Sequence, residues 1–286
     1  MTKHTIHSAV ASNIGNIREK NEDSFFLDGI TLDPSVKGTV IASNKSTNGL
    51  FAVCDGMGGE VSGEVASMIA VSTLGKFYQK AREGKVSFTS MIDSYTEEAN
   101  ARICDEMLKN GGQRMGTTYV MLLIEDNTAY IYNIGDSRAY LLRDRKLTQL
   151  SHDHTQIRQL LKMNILTPEE AKTHPERNRL TQHLGIFPEE MIIEPYVVAP
   201  IAIMSGDTFL LCSDGLTDML TDNEIEGIMN KLTDPKEMTE KLAEESLLQG
   251  GKDNVTVLVA KAMATNGISK LYEKLFRNSQ LKTTGE

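Results

Sequence analysis

Four apolar stretches of this chain abut an aspartate. Residues 50–54 lead into Asp55-Gly56, residues 130–135 into Asp136, residues 209–213 into Asp214-Gly215, and Asp253 precedes the run 255–259. A further acidic pair, Glu22-Asp23, stands just before Ser24-Phe25-Phe26-Leu27. Buried strands rarely end in bare carboxylates. If these ends converge, the acids share one cleft that is stable only when cations neutralise it or some of the acids hold protons. Carboxylate oxygens without histidine or cysteine beside them suit hard divalent cations, Mg²⁺ or Mn²⁺. Glycine next to the aspartate lets a backbone carbonyl or a ligand come close. Two such ions would clamp a phosphoryl group and supply a hydroxide nucleophile at neutral pH. Arg18, five residues ahead of Asp23, offers a planar fork for phosphate oxygens. Taken singly, an Asp-Gly pair is most often a turn and an arginine a solvated charge. The recurrence at several strand ends is what argues for a site.

The elements that must hold these acids are legible in the periodicity. Residues 6–10 and 24–27 read as strands, 28–49 as a turn-rich loop or hairpin excursion, and 50–54 as a short buried strand. A helix is predicted over about 62–80, with Val65, Ile69, Thr73 and Phe77 four residues apart. A second carries Phe88, Ile92, Tyr95, Ala99, Ile103 and Met107 on one stripe and ends at Gly111-Gly112. Between 117 and 151 the period changes to two. The short connections there predict an antiparallel meander of 117–124, 129–134, 138–142 and 147–150. The polar segment 152–185 follows, with Thr167-Pro168-Glu169-Glu170 as a capping signal. Strands are predicted near 192–198, 208–212 and 255–260, with two helices between the last two. Strand blocks bracket helix pairs and the strands are apolar on both faces. The reading is therefore α+β, sheets packed on each other inside and on helices outside.

Composition narrows the function classes. The 286 residues carry 30 Lys+Arg against 39 Asp+Glu, a formal net charge of -9. An acidic chain without a basic run excludes general nucleic-acid binding. No apolar run approaches the ~18 residues of a membrane span, and the N-terminus lacks an apolar signal core. Cys54, Cys104 and Cys212 are three in number and far apart, as expected of buried thiols in a reducing cytoplasm. Rival chemistries fail on spacing. Gly56-Met57-Gly58-Gly59 is not a dinucleotide loop, because Val61 stands where the third glycine belongs. Glu60, Asn110 and Asp218, six residues beyond each cysteine, leave no arginine for a cysteine-dependent phosphatase. His152-Asp153-His154 reads as a solvated loop or helix start, because no other histidine shares a ligand spacing with it.

Taken together, six segments resemble the motif set of the metal-dependent protein Ser/Thr phosphatases, the PPM or type 2C family, in order and spacing over about residues 5–261. They are Arg18-Glu19-Lys20-Asn21-Glu22-Asp23-Ser24, Val53-Cys54-Asp55-Gly56-Met57-Gly58-Gly59, Gly116-Thr117-Thr118, Gly135-Asp136-Ser137-Arg138, Ser213-Asp214-Gly215-Leu216 and Asp253-Asn254-Val255-Thr256. The short form resembles the bacterial branch. The resemblance implies a four-layer αββα sandwich of two mainly antiparallel sheets flanked by helices. It implies one catalytic unit over 1–265, with a flap at about 152–190, followed by a tail, 266–286, whose apolar residues have helical spacing. It also implies two core Mn²⁺ or Mg²⁺ ions with room for a third. By motif, Asp55 would bridge two metals, the Gly56 carbonyl would bind one, and Asp214 and Asp253 would hold the other. Glu22 and Asp23 would act largely through water, Asp136 would serve a third ion with Asp214, and Arg18 would grip the phosphate. Met57 stands where eukaryotic members carry a histidine, and it cannot transfer a proton. The implied substrates are phosphoproteins made by a Ser/Thr kinase, and the implied form is a cytoplasmic monomer. The competing reading is an inactive phosphoprotein-binding module of the same fold. The complete set of acids argues against it.

Overall fold

The apolar runs become strands buried on both faces: Gly49–Cys54 and Thr208–Cys212 are buried throughout, and Tyr119–Glu125 everywhere except its last residue. Their alternate residues face opposite ways, so each strand serves two cores. This computed structural model describes residues 4–32, 38–58, 63–84 and 87–265. One antiparallel sheet of six strands runs in the order Lys146–Gln149, Arg138–Arg143, Thr208–Cys212, Val255–Ala264, His4–Asn13, Val40–Ser46. The second runs Tyr196–Val197, Thr128–Ile134, Tyr119–Glu125, Gly49–Cys54, Ser24–Leu27, Ile30–Thr31, with Ile201–Ala202 also paired to Thr128–Ile134. A small separate hairpin pairs Gly56–Gly58 with Met115–Thr117.

The helices are α1 (Gly63–Arg82), α2 (Ile92–Lys109, preceded by one 3-10 turn), α3 (Gln156–Lys162), α4 (Pro168–Thr173), α5 (Asp214–Thr217), α6 (Asp222–Met229) and α7 (Pro235–Leu248). Three apolar layers hold them to the sheets. Leu74, Phe77, Tyr95 and Ile103 of α1 and α2 pack on Leu50, Ala52 and Met121. Phe51, Val53, Leu122, Phe209, Leu211 and Leu258 fill the space between the two sheets. Leu210, Val257 and Val259 meet Ile225, Met229 and Leu242 of α6 and α7. The architecture is the expected αββα sandwich. Capping boxes close the starts of α4 (Thr167 with Glu170) and α6 (Thr221 with Glu224), and Asp234 caps α7, as their sequences indicate.

Four expectations are corrected. The meander does not continue through residue 138. Thr128–Ile134 lies in one sheet and Arg138–Arg143 in the other, so the Gly135-Asp136-Ser137 turn carries the chain between sheets. A turn this short cannot report which sheet the next strand joins, because both options satisfy the same local pattern. The excursion 28–49 contains a real edge strand, Val40–Ser46, paired with Ile6–Ser12. The strand expected over 192–198 shrinks to Tyr196–Val197. Three helices rather than two separate the last long strands, because α5 is a single turn. The tail 266–286 lies outside the described residues. Among the described residues no helix is long and apolar enough to cross a membrane.

One ion pair fixes the six-stranded sheet. Asp207 is fully buried. The Arg143 guanidinium donates to both of its oxygens, at 2.8 and 2.6 Å, and the Met204 amide donates at 2.7 Å. Arg143→Met leaves a buried carboxylate with one donor, so it should cost about 3 kcal/mol or more of stability. Urea denaturation checks this, and a loss below about 1 kcal/mol would show that Asp207 finds other partners.

Candidate active site

Each acid sits at the end of a strand: Asp55, Asp136 and Asp214 follow one, and Asp23 and Asp253 precede one. Asp55 follows Gly49–Cys54, and its peptide is held at both ends. Its amide donates to Thr118 Oγ1 at 3.0 Å, and its carbonyl accepts from the Thr118 amide at 2.9 Å and Thr117 Oγ1 at 2.8 Å. Gly56 is required by close approach: a Cβ there would lie 2.1 Å from the Gly63 carbonyl oxygen and 2.5 Å from that of Glu22. Asp214 opens α5. The next residue, Gly215, would put a Cβ 1.9 Å from the Asn254 carbonyl oxygen, so α5 can press on the Asp253 turn only with glycine there. Gly215→Ala should separate Asp214 from Asp253. The expected result is a stability loss of about 1–3 kcal/mol and a steep fall in turnover. Unchanged melting and activity would show that the turn yields freely.

The first acidic pair arrives on a loop tied to the far end of the chain. Asn254 accepts from the Glu22 amide and donates to the carbonyls of Ile14 and Lys20, each at 2.8 Å. That single side chain presents Arg18, Glu22 and Asp253 on one side. Arg18 Nη2 lies 2.7 Å from Asp253 Oδ2. Asp23 is 1% exposed. Its Oδ2 accepts from Ser213 Oγ at 2.8 Å, while its Oδ1 has no hydrogen-bond partner. Asp136 occupies the crossover turn, which His154 pins: the Gly135 amide donates to His154 Nδ1 at 3.1 Å, and the His154 amide donates to the Gly135 carbonyl at 2.9 Å. His154 is thus a structural clamp rather than part of a solvated loop. Burial pushes its imidazole down to about 4, so it stays neutral.

The carboxyls feel one another. Burial, then Asp23, Asp214, Asp136 and Asp253, raise Asp55 well above the usual range. Burial and Asp214 do the same to Asp136. Asp23 is pushed up to about 7, first by burial and then by Asp214 and Asp253, against the opposing effect of the nearby Thr256 and Ser213 hydroxyls. Asp214 is raised to about 6 by burial, Asp218 and Asp253, while a hydrogen bond shared with Asp55 pulls the other way. Glu22 is raised by burial and by Glu64 at the start of α1, and Arg18 opposes this. The sequence-predicted acids therefore form one electrostatic cluster. Among the described residues no three His, Cys, Asp or Glu side chains are posed as a ready-made metal shell. The chemistry of the set still fits hard cations. It is all oxygen, it is short of positive charge, and it includes a buried oxygen, Asp23 Oδ1, with no partner.

Sequence reasoning missed the supports: Thr118 and its neighbour Ser137 (2.6 Å apart), Ser213, Asn254, and the Arg138 fork on Asp153. All but Asp153 lie inside the quoted motif segments. Proximity to the acids was the available signal, but their partners lie far away in sequence.

Comparison with known proteins decides the family. The family model for protein phosphatase 2C matches residues 39–249. The chain belongs to the protein phosphatase 2C family. It is 32% identical over 262 residues to the serine/threonine phosphatase stp of Listeria monocytogenes, covering 90% of this chain and 96% of that one. Against the serine/threonine protein phosphatase PstP of Mycobacterium tuberculosis it is 34% identical over 255 residues, 88% of this chain and 44% of that protein. Among solved 2C-type structures, the catalytic domain of PstP in complex with two manganese ions superposes with a TM-score of 0.74 at 31% identity, covering 91% of this chain and 99% of that one. Stp1 of Staphylococcus aureus superposes with a TM-score of 0.74 at 29% identity, covering 93% and 96%. The αββα layering of this 2C-family chain agrees with that likeness.

Proposed function

We propose that this protein hydrolyses phosphoserine and phosphothreonine in phosphoproteins, as a Mn²⁺- or Mg²⁺-dependent phosphatase. The observation that carries the reading is the acid cluster itself. Burial and their neighbouring carboxylates raise Asp55 and Asp214 together, and Asp23 buries an oxygen without a partner beside them. Such a cluster is costly unless it serves to hold cations. The phosphatases that the chain resembles, and the two manganese ions of the PstP structure, support the same conclusion.

Asp55, Asp214 and Asp253, with the Gly56 carbonyl, would hold the two core ions. Glu22 and Asp23 would orient water, and Asp136 with Asp214 would hold a third ion. Bound there, divalent ions supply a nucleophile at neutral pH and offset charge on the phosphoryl oxygens. The protein's own residues do the rest. Thr117 and Thr118 fix the Asp55 peptide, Ser213 fixes Asp23, and Asn254 aligns the Arg18 loop with Asp253. The Thr117, Thr118 and Ser213 hydroxyls are engaged in holding Asp55 and Asp23, and we read the transfer as going directly to water with no phosphoenzyme. Met57 offers no proton, so the leaving group takes its proton from water or another group. Three buried free thiols, Cys54, Cys104 and Cys212, suit a cytoplasmic protein, and we read it as a monomer acting opposite a Ser/Thr kinase.

Release of phosphate from a phosphothreonine peptide in Mn²⁺, and its loss in excess chelator, tests the function. Full activity in chelator would reject it. Arg18 carries a separate prediction. It is half exposed and paired with Asp253, free to exchange that partner for phosphate. Arg18→Ala should raise KM for a phosphopeptide by about 10-fold, the size of one charge-assisted contact. Metal affinity should stay equal or tighten, because Asp253 loses a competing cation. An unchanged KM would remove Arg18 from substrate binding.

A further inference from the structure

Met57 lacks the chemistry of an acid, but its surroundings give it another use. Gly56–Gly58 and Met115–Thr117 form a hairpin that enters the acid site at one end, where Gly56 pairs with Thr117 and Thr117 Oγ1 donates to the Asp55 carbonyl at 2.8 Å. At its other end, where Gly58 pairs with Met115, the hairpin borders an open groove of about 510 Å³. Its walls include Met57, Met115, Ile186 and Met191, with Arg114 and Glu190 at the rim. The hairpin and the last part of the segment 152–190 are locked together by the Thr117 and Leu184 amides, which exchange hydrogen bonds at 3.1 and 2.9 Å. The groove is therefore held on the same hairpin that follows Asp55.

Its charges are internally satisfied. The Arg114 guanidinium forks onto Glu190, with one contact of 3.1 Å, and lies 5.0 Å above the Phe187 ring. His183 Nδ1 donates to the Leu184 carbonyl at 2.8 Å, and burial lowers its affinity for a second proton. What is left uncommitted is chiefly the partly exposed thioether surface of Met57 and Met191, which adapts to varied apolar groups. From Asp55 to the groove is two residues of strand, about 7 Å. An extended substrate spans that distance in two residues.

We propose that this groove is a specificity subsite of the phosphatase, taking a Leu-, Ile-, Met- or Phe-sized side chain two or three residues from the phosphorylated serine or threonine. The occupant is the extended peptide of the substrate phosphoprotein, because Met57 in the groove wall stands two residues beyond Asp55 on the same hairpin. The proposal rests on the phosphatase reading.

The test measures kcat/KM of the full chain in Mn²⁺ on phosphothreonine peptides that vary only at positions -3 to +3. We expect a preference of about 10-fold for Leu or Met over Gly or Asp on one side of the phosphoresidue, the range one apolar side chain commands. In Met57→Asp and Met191→Asp that ratio should fall to about 1 or reverse. A flat profile in the unaltered protein, or a preference that survives both substitutions, would overturn the subsite. Hydrolysis of p-nitrophenyl phosphate by the unaltered protein reports the phosphatase reading alone. Activity there with a flat peptide profile sinks only the groove, and no activity on any substrate sinks the reading beneath it.

Discussion

Asp214→Asn should lower kcat/KM on a phosphopeptide in Mn²⁺ by well over about 100-fold, the loss expected for a group merely supporting a metal ligand. Asp214 is the one acid placed at every junction of the cluster. It is raised by burial and then by Asp218 and Asp253. It raises Asp55, Asp136 and Asp23 in turn. Asparagine keeps its shape and its place at the start of α5 but removes one anionic ligand. The fold should survive, because Gly215 and Leu216 beside it remain buried against their neighbours. In chelator at alkaline pH the variant should even melt higher than the parent, since one term of carboxylate repulsion is gone. Activity within about 3-fold of the parent, measured with saturating Mn²⁺, would remove Asp214 from the chemistry.

Thermal stability should depend on pH and on metal in opposite senses. Unfolded aspartates ionise near 3.9. In the folded chain Asp23 retains its proton to about 7 and Asp214 to about 6, and Asp55 and Asp136 are also raised. Between about pH 4 and pH 7 the folded state therefore binds more protons than the unfolded state, and stability falls as pH rises. In chelator, Tm should be higher near pH 5 than at pH 8. Divalent cations need the deprotonated acids, so the rise in Tm on adding Mn²⁺ should be larger at pH 8 than at pH 5. A chelated protein whose Tm climbs from pH 5 to pH 8 would show that the acids are ionised and paired by other means.

The sequence made the acids and their glycines visible because strand ends leave a local mark, an apolar run cut by Asp-Gly. It also made the caps of α4, α6 and α7 visible, since a capping box closes within four residues. The α2 stripe was readable for the same reason, since all of its residues are buried; in α1 Thr73 and Phe77 are buried as expected, but Val65 and Ile69 are only partly buried and Ala66, Ala70, Val71 and Leu74 carry the inner face. The second-half strand order was not readable. The turn at Gly135-Asp136-Ser137 looks like any hairpin link, yet it moves the chain to the other sheet. His152-Asp153-His154 looked like solvent-facing loop, yet His154 and Asp153 are held by Gly135 and Arg138.

By itself, then, the sequence determined which residues carry charge into the interior, which glycines admit close contact, and the family motif order that makes them one set. Only the tertiary structure decided who holds them. Ser213 reaches Asp23 from the far side of the chain, Asn254 gathers the Arg18 loop, Arg143 neutralises Asp207, and the Met57 hairpin meets Met191 across a groove. The physical reason is range. Periodicity, caps and turns are set by residues a few positions apart. Hydrogen bonds and packing between distant segments are chosen by the whole fold, because only burial brings those groups out of water and makes a partner necessary.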